Sequence, residues 1–278
     1  MPKQKSEFPA LNTIVSTAAV IPGGIVTIGR TDTKPTPPPS KRKDKKSPSG
    51  VAESDEDKKP TYVEDCGPAH QRVIRQYKLS TVPITVEAWR EYCIDTRRSM
   101  PSPPPWGWID NHPMVNVSWI DIVGDGRSTG YLPWATSASN VNVRLPTEEE
   151  WEYCAREGAL QNEFPIGRQF DHRLVWCSVN INRLTTQSVY STAYNWKNRF
   201  GVAGLAGNVW QWCSSVYIGY PEPFGITRKL GGDFEGKAAV IRGGAFNTVN
   251  PDYFRSWYRN RLPKHEFRET IGFRVAID

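Results

Sequence analysis

Arg242-Gly243-Gly244-Ala245-Phe246 and Ile271-Gly272-Phe273-Arg274-Val275-Ala276 are the stretches whose reading decides the fold. The apolar runs Val240-Ile241 and Phe273 to Ala276 read as short strands, and Gly243-Gly244 and Gly272 permit sharp bends or close backbone approach. The residues between them match no period. Asn247, Thr248, Asn250, Asp252, Tyr253, Phe254, Trp257, Tyr258, Arg259, Asn260, Arg261, His265 and Phe267 alternate aromatic, amide and basic side chains without an apolar stripe. Such a mixture suits an adaptable contact surface, where rings supply area and small polar groups supply hydrogen bonds. It equally suits a long irregular loop with its aromatics packed underneath. The residue types leave both readings open.

Moving outward, Gly204-Leu205-Ala206-Gly207-Asn208-Val209-Trp210-Gln211-Trp212-Cys213 reads as a glycine-framed turn entering a Trp-flanked strand. Gly207, Val209 and Gln211 could offer oxygens to a calcium ion, or the turn could simply be tight, with Trp210 and Trp212 in the core. Thr147 and Glu150 form a capping box ahead of a helix that Gly158 closes, with Trp151, Cys154 and Ala155 on its buried face. The glutamates Glu148, Glu149 and Glu150 complement the positive end of the helix dipole, which accounts for them without catalysis. A second helix is expected over Val86 to Cys93, capped by Thr85. Elsewhere the chain reads as short strands: two around Pro22-Gly23-Gly24 within Thr13 to Ile28, one over Gln71 to Leu79, and one over Val115 to Trp119. Residues 100–113 and 124–142 read as loops, with Trp134 tucked back. These elements make an irregular α+β fold with two main helices and long loops, organised as one domain over residues 1–278.

Composition narrows the function classes. The net charge of +6 is concentrated in one polar run holding Lys41, Arg42, Lys43, Lys45, Lys46, Lys58 and Lys59. Without a groove-reading motif it does not indicate nucleic-acid binding. That run belongs to a Pro-, Ser- and Lys-rich stretch over about residues 31–60, which is expected to be a disordered insertion. The five cysteines stand singly, with no Cys-x-x-Cys pair for zinc, and their odd number suits a reducing compartment. No apolar run reaches the ~18 residues of a membrane span, and the N-terminal residues do not read as a signal peptide. Cytoplasmic location is the default expectation, with a phage particle or cell surface compatible with the same features.

Together, Ile21-Pro22-Gly23-Gly24, His112-Pro113-Met114-Val115-Asn116-Val117-Ser118-Trp119, Arg144-Leu145-Pro146-Thr147-Glu148-Glu149-Glu150-Trp151, Gly207-Asn208-Val209-Trp210-Gln211-Trp212, Arg242-Gly243-Gly244 and Gly272-Phe273-Arg274 resemble the formylglycine-generating enzyme/sulfatase-modifying-factor domain. The resemblance implies an elaborated C-type-lectin fold. Oxidising members of that family hold copper through two thiolates, at positions that fall near Thr248 and Tyr253 here, and no cysteine follows Cys213. Hydroxyls do not replace soft ligands, so the resemblance implies loss of that activity. The family's calcium turn usually carries Glu where this chain has Gln211, so any calcium there is weakened.

Another branch of the fold, the variable proteins of diversity-generating retroelements, resembles the Arg-Gly-Gly to Gly-Phe-Arg segment better. That resemblance implies a non-catalytic binder whose variable surface, over about 245–270, contacts a protein or other macromolecular ligand. Ala245, Phe246, Thr248, Val249, Tyr253, Phe254, Trp257, Tyr258, Asn260, His265 and Phe267 are its expected contact residues, facing outward together. The rival readings are a metal-dependent oxidase with altered ligands, for which Asp252, His265 and Glu266 lack ligand spacing, and a structural module without catalysis.

Overall fold

The computed structural model describes residues 8–30, 64–126, 129–181, 184–193, 196–220 and 237–278. In chain order its elements are α1 (Pro9–Ser16), β1 (Ala19–Ile21), β2 (Gly24–Ile28), β3 (His70–Ile74), β4 (Tyr77–Leu79), α2 (Val86–Thr96), α3 (Trp119–Val123), α4 (Tyr131–Ser139), β5 (Val143–Arg144), α5 (Glu148–Ala155), β6 (Trp210–Val216), β7 (Ala238–Arg242), β8 (Asn260–Pro263), β9 (Ile271–Phe273) and β10 (Ala276–Ile277). The strands form one sheet in the order β1-β4-β10-β5, a two-stranded ribbon β2-β3, and a second four-stranded sheet β8-β7-β6-β9. Within the last sheet β6 and β9 run parallel, while β7 is antiparallel to both β6 and β8. Short strands, several helices and long connections make this an irregular α+β fold.

Local chemistry sets the helix boundaries. At α5 the Thr147 hydroxyl accepts from the Glu150 N–H at 3.1 Å, and the Glu150 carboxylate accepts from the Thr147 N–H at 2.8 Å. Each satisfies a donor that the first turn leaves without an intrahelical partner. Thr85 caps α2 through the Ala88 N–H. Ser118 and Asp121 form a further capping box at α3.

Three expectations need correction. Residues 9–16 form a helix rather than the start of a strand, because Pro9 suits a first helical turn and the Glu91 carboxylate accepts the Ala10 and Leu11 N–H groups at 2.8 and 3.0 Å. Val115 to Trp119 is not a strand: the chain bends at Asn116, where φ is +56°, and Ser118 then caps the helix that starts at Trp119. Residues 131–139, read as loop, form α4, with Trp134 packed back as expected. The alternating run over Gln71 to Leu79 is divided at Arg75-Gln76 between β3 and β4, which belong to different sheets. The insertion expected at about 31–60 lies outside the described residues.

Two large clusters make most of the core among the described residues. In one, Trp89 stacks on Tyr131 with ring centroids 5.2 Å apart, and both rings meet Phe273 of β9 edge-on. In the other, Trp151, Tyr153 and Cys154 of α5 pack against Ile21, Val26, Tyr217 and Val240. The close approach of β9 to the loop before α3 explains Gly272, where a Cβ would sit 2.5 Å from the Met114 carbonyl oxygen.

Candidate functional site

The segment after β7 begins with a turn that only glycine can make. Gly244 has φ +71°, and a Cβ there would lie 2.5 Å from the Phe254 ring. Phe254 therefore closes down over the turn and is fully buried, stacked on Phe170 at 5.3 Å. Its neighbours follow it inward. Ala245 and Thr248 close on each other: the Ala245 N–H donates to the Thr248 hydroxyl and the Thr248 N–H to the Ala245 carbonyl, each at 3.1 Å. Phe246 sits edge-on against Trp106 at 5.3 Å. Tyr253 packs 4.8 Å from Tyr258, beside Trp210. Trp257 is buried and donates its indole N–H to Glu163 at 2.9 Å.

Of the expected contact residues, then, Ala245, Phe246, Thr248, Tyr253, Phe254, Trp257 and Tyr258 are buried. They do not form an outward face, and that expectation is corrected. Asn260 is half-buried, with its side-chain oxygen on the Arg261 N–H. Val249 and Phe267 are 55% and 56% exposed, and His265 is exposed as well.

Beneath the segment lies a buried bar of charge that the sequence reading did not anticipate. Glu148 Oε1 accepts from Arg242 Nη2 at 2.6 Å and Glu148 Oε2 from Arg259 Nη2 at 2.8 Å. Arg242 Nη2 also donates to Glu152 Oε2 at 2.8 Å and to the Tyr220 hydroxyl at 2.9 Å. Glu152 Oε1 accepts from Arg156 Nε and from the Gly29 N–H, both at 2.8 Å. Burial alone pushes the Glu148 carboxyl up, but Arg259 and Arg242 outweigh it and hold it below the usual carboxylate range. The bar fastens α5, and so the second core cluster, to the C-terminal segment. Arg259, whose role the residue pattern left open, is scaffold. The available signal was the i, i+4 spacing of Glu148 and Glu152, which puts both carboxylates on one face of α5.

Arg274 is the contrasting cation. It is fully buried and meets no carboxylate among the described residues. Its guanidinium donates to Gln211 Oε1 at 2.6 Å and to the carbonyls of Ser80, Ala203 and Gly204. Burial lowers its pKa to about 10. The same Gln211 oxygen accepts the Trp151 indole N–H at 2.9 Å. Gln211 is thus an internal brace with a guanidinium against its oxygen, which a cation would not share. The Gly207 carbonyl accepts the Val209 N–H, so of the expected calcium turn Gly207, Val209 and Gln211, both the Gly207 and the Gln211 oxygens have protein partners. No group of three or more His, Cys, Asp or Glu side chains among the described residues is arranged to hold a metal.

The family's copper positions were tested on their donors. Thr248 and Tyr253 present hydroxyls, one of them engaged with the Ala245 N–H, and these do not fit a soft ion that needs thiolates. The cysteines that do exist are all buried and unpaired as disulfides, and burial pushes the Cys66 and Cys154 thiols up to about 12.

An irregular α+β scaffold with a Gly-Gly turn over a buried Arg-Glu bar defines the class. The chain belongs to the sulfatase-modifying factor enzyme 1-like domain family, whose profile matches residues 5–278. It is 34% identical to the formylglycine-generating enzyme of Streptomyces coelicolor over 183 residues, which covers 60% of this chain and 53% of the enzyme. The chain spans from about a quarter to about half the length of the first curated relatives it matches. Among solved structures, PvdO from Pseudomonas aeruginosa superposes with a TM-score of 0.67 at 20% identity, over 94% of each chain. Treponema denticola variable protein 1 superposes with a TM-score of 0.65 at 17% identity, again over 94% of each. These two likenesses show the fold.

Proposed function

We propose that this chain is a non-catalytic binding protein of the variable type found in diversity-generating retroelements, with its scaffold held constant and part of its C-terminal segment varied. The observation that carries the reading is that no cysteine follows Cys213, while the segment after the Gly-Gly turn is packed shut by Phe254, Trp257 and Tyr258. A site packed by its own side chains leaves no room for substrate beside a reactive group. The likeness to Treponema denticola variable protein 1 supports the same reading at the level of fold.

The geometry also narrows which positions can vary. Val249, His265 and Phe267 are free to change, and Asn260 is on the margin. The buried aromatics would be punished for changing, because deleting a buried ring costs about 3–5 kcal/mol. The ligand is a protein or another macromolecule, met by exposed side chains on a rigid frame that limits the entropy lost on binding.

The test is to sequence the DNA flanking the gene. The expected result is a near-repeat of the region coding for residues 245–270, close to a reverse-transcriptase gene. Its adenine differences should fall on the codons of Val249, Asn260, His265 and Phe267 and spare those of Phe254, Trp257 and Tyr258. Absence of any repeat, together with copper or iron retained in stoichiometric amount through purification, would overturn it. That outcome would favour a metal-dependent oxidase with other ligands, the reading to which the formylglycine-generating relatives lend weight.

A further inference from the structure

Residues 178–197 were not singled out by any sequence motif, yet they carry the composition expected of a contact surface. Half of them are Ser, Thr, Asn or Gln, and Tyr190, Tyr194 and Trp196 stand among them. Rigid aromatic rings beside small hydrogen-bonding groups are the mixture that adaptable binding loops use.

Among the described residues this stretch is held by its backbone while its large side chains point out. The Trp176 indole donates to the Thr185 carbonyl at 2.8 Å. Asn208 brackets Gln187, accepting from its N–H at 2.9 Å and donating to its carbonyl at 3.0 Å. The Val189 N–H donates to the Asn111 carbonyl, and Val189 itself is buried with Val82 and Ala203. Buried Thr186 meets His112 Nδ1 at 2.9 Å. Against this fixed frame, Val179, Leu184, Tyr190 and Trp196 are all exposed. The Ser178 hydroxyl donates to the Thr248 carbonyl at 2.9 Å, which brings exposed Val179 and Val249 to either side of one hydrogen bond.

Beside the loop opens a cleft of about 690 Å³, lined by His172, Arg173, Leu174, Asn180, Trp196 and Lys197 among others. Such a volume is within the ordinary range for a binding pocket. Asp171 grips Arg173 at 2.7 Å and fixes its direction, while Lys197 has no ion pair among the described residues. The lining is therefore cationic beside an indole that is 48% exposed.

We propose that this cleft, with the described residues 178–181, 184–193 and 196–197 beside it, forms a docking surface for a protein partner, and that the partner inserts an acidic side chain flanked by apolar residues. The carboxylate meets Lys197 and Arg173, an apolar neighbour lies on Trp196 and Leu174, and the exposed aliphatics Val179 and Leu184 extend the contact over the partner's surface. A nucleic acid would need a row of cations to follow its phosphates, and among the described residues lining the cleft Lys197 is the one Lys or Arg that Asp171 does not offset. The inference rests on the reading of this chain as a binder, but it does not require the C-terminal segment to be diversified.

The test is selection from a library of random 12-residue displayed peptides against the whole chain. Each enriched peptide is then measured on Trp196→Ala/Lys197→Glu and, separately, on Val249→Ser/Phe267→Ser. All four side chains are exposed, so thermal midpoints should match the wild type. The expected result is peptides enriched in Asp or Glu next to apolar residues, weakened at least tenfold by the first variant and by salt, and within twofold on the second. Peptides lost only on the second variant would overturn the cleft while leaving the C-terminal contact surface standing. Peptides indifferent to both variants, enrichment of basic peptides, or no enrichment at all would overturn the cleft outright, and the first and last of these would count against the binder reading too.

Discussion

Residues 245–259 and residues 178–197 share a vocabulary of tyrosine, tryptophan, asparagine, serine and threonine, and the fold puts them to opposite uses. In the first, the rings turn in: Phe254 onto Phe170, Phe246 onto Trp106, Tyr253 onto Tyr258. In the second, backbone and small polar groups are pinned and the rings turn out. What separates them is not composition but the partner each ring finds. The C-terminal segment crosses the Gly244 turn and meets Phe170 and a charged bar below it, whereas the described part of 178–197 is anchored by carbonyls and amides that leave Val179, Leu184, Tyr190 and Trp196 exposed. Exposure is decided by where the backbone hydrogen bonds go, and residue type follows.

The sharpest way to break this comparison is to remove the bar. Glu148→Ala should cost about 3–5 kcal/mol in urea unfolding, because it leaves the buried Arg259 guanidinium without its carboxylate and Arg242 with Glu152 alone. A loss below ~1 kcal/mol would mean that the bar does not hold the segment down. Next in size, Tyr253→Ala should lose about 3 kcal/mol by emptying the space against Tyr258 and Trp210. If Tyr253→Ala were neutral in stability but abolished ligand binding, the ring would be a contact residue after all.

A smaller effect appears in alkali. The folded pKa of Cys66 and of Cys154 is raised to about 12 by burial, above the value of 9.0 for an accessible thiol. Between these values the folded state binds more protons than the unfolded state, so stability is intact below pH 9 and declines above it. Both thiols act in the same direction, so urea midpoints measured at successive pH values should fall above pH 9. The smallest effect is expected where the comparison says nothing is buried: Val249→Ser and Phe267→Ser should each stay within about 0.5 kcal/mol of the wild type.

Much of the frame was legible in the residues. The Thr147/Glu150 capping box, the Thr85 cap, and the glycine-framed entry to β6 carry their own chemistry within a few positions, and they are where the structure has them. α4 was not legible because Gly130 ahead of it, Pro133 in its first turn and its Ser/Thr content look like loop, although Tyr131, Leu132, Trp134 and Ala135 give it a buried face. α3 was hidden by the alternation of Val115 and Val117 just before its Ser118 cap. The C-terminal segment was misread for a different reason. The groups that bury it, Trp106, Glu148, Glu163 and Phe170, lie some eighty or more residues earlier, and no local pattern announces them.

β10 has a consequence for how the molecule is made. It lies inside its sheet, between β4 and β5, and Arg274 just before it gathers the carbonyls of Ser80, Ala203 and Gly204. During synthesis β1, β4 and β5 emerge long before the strand that joins them, so that sheet cannot close until residues 276–277 have left the ribosome. Any codon change in the preceding segment is translated before the sheet locks, and a change that blocks packing is met by a chain still open to quality control. Pairing of the last strand is therefore the step that closes this sheet, and it comes only after every other strand of the sheet has been made.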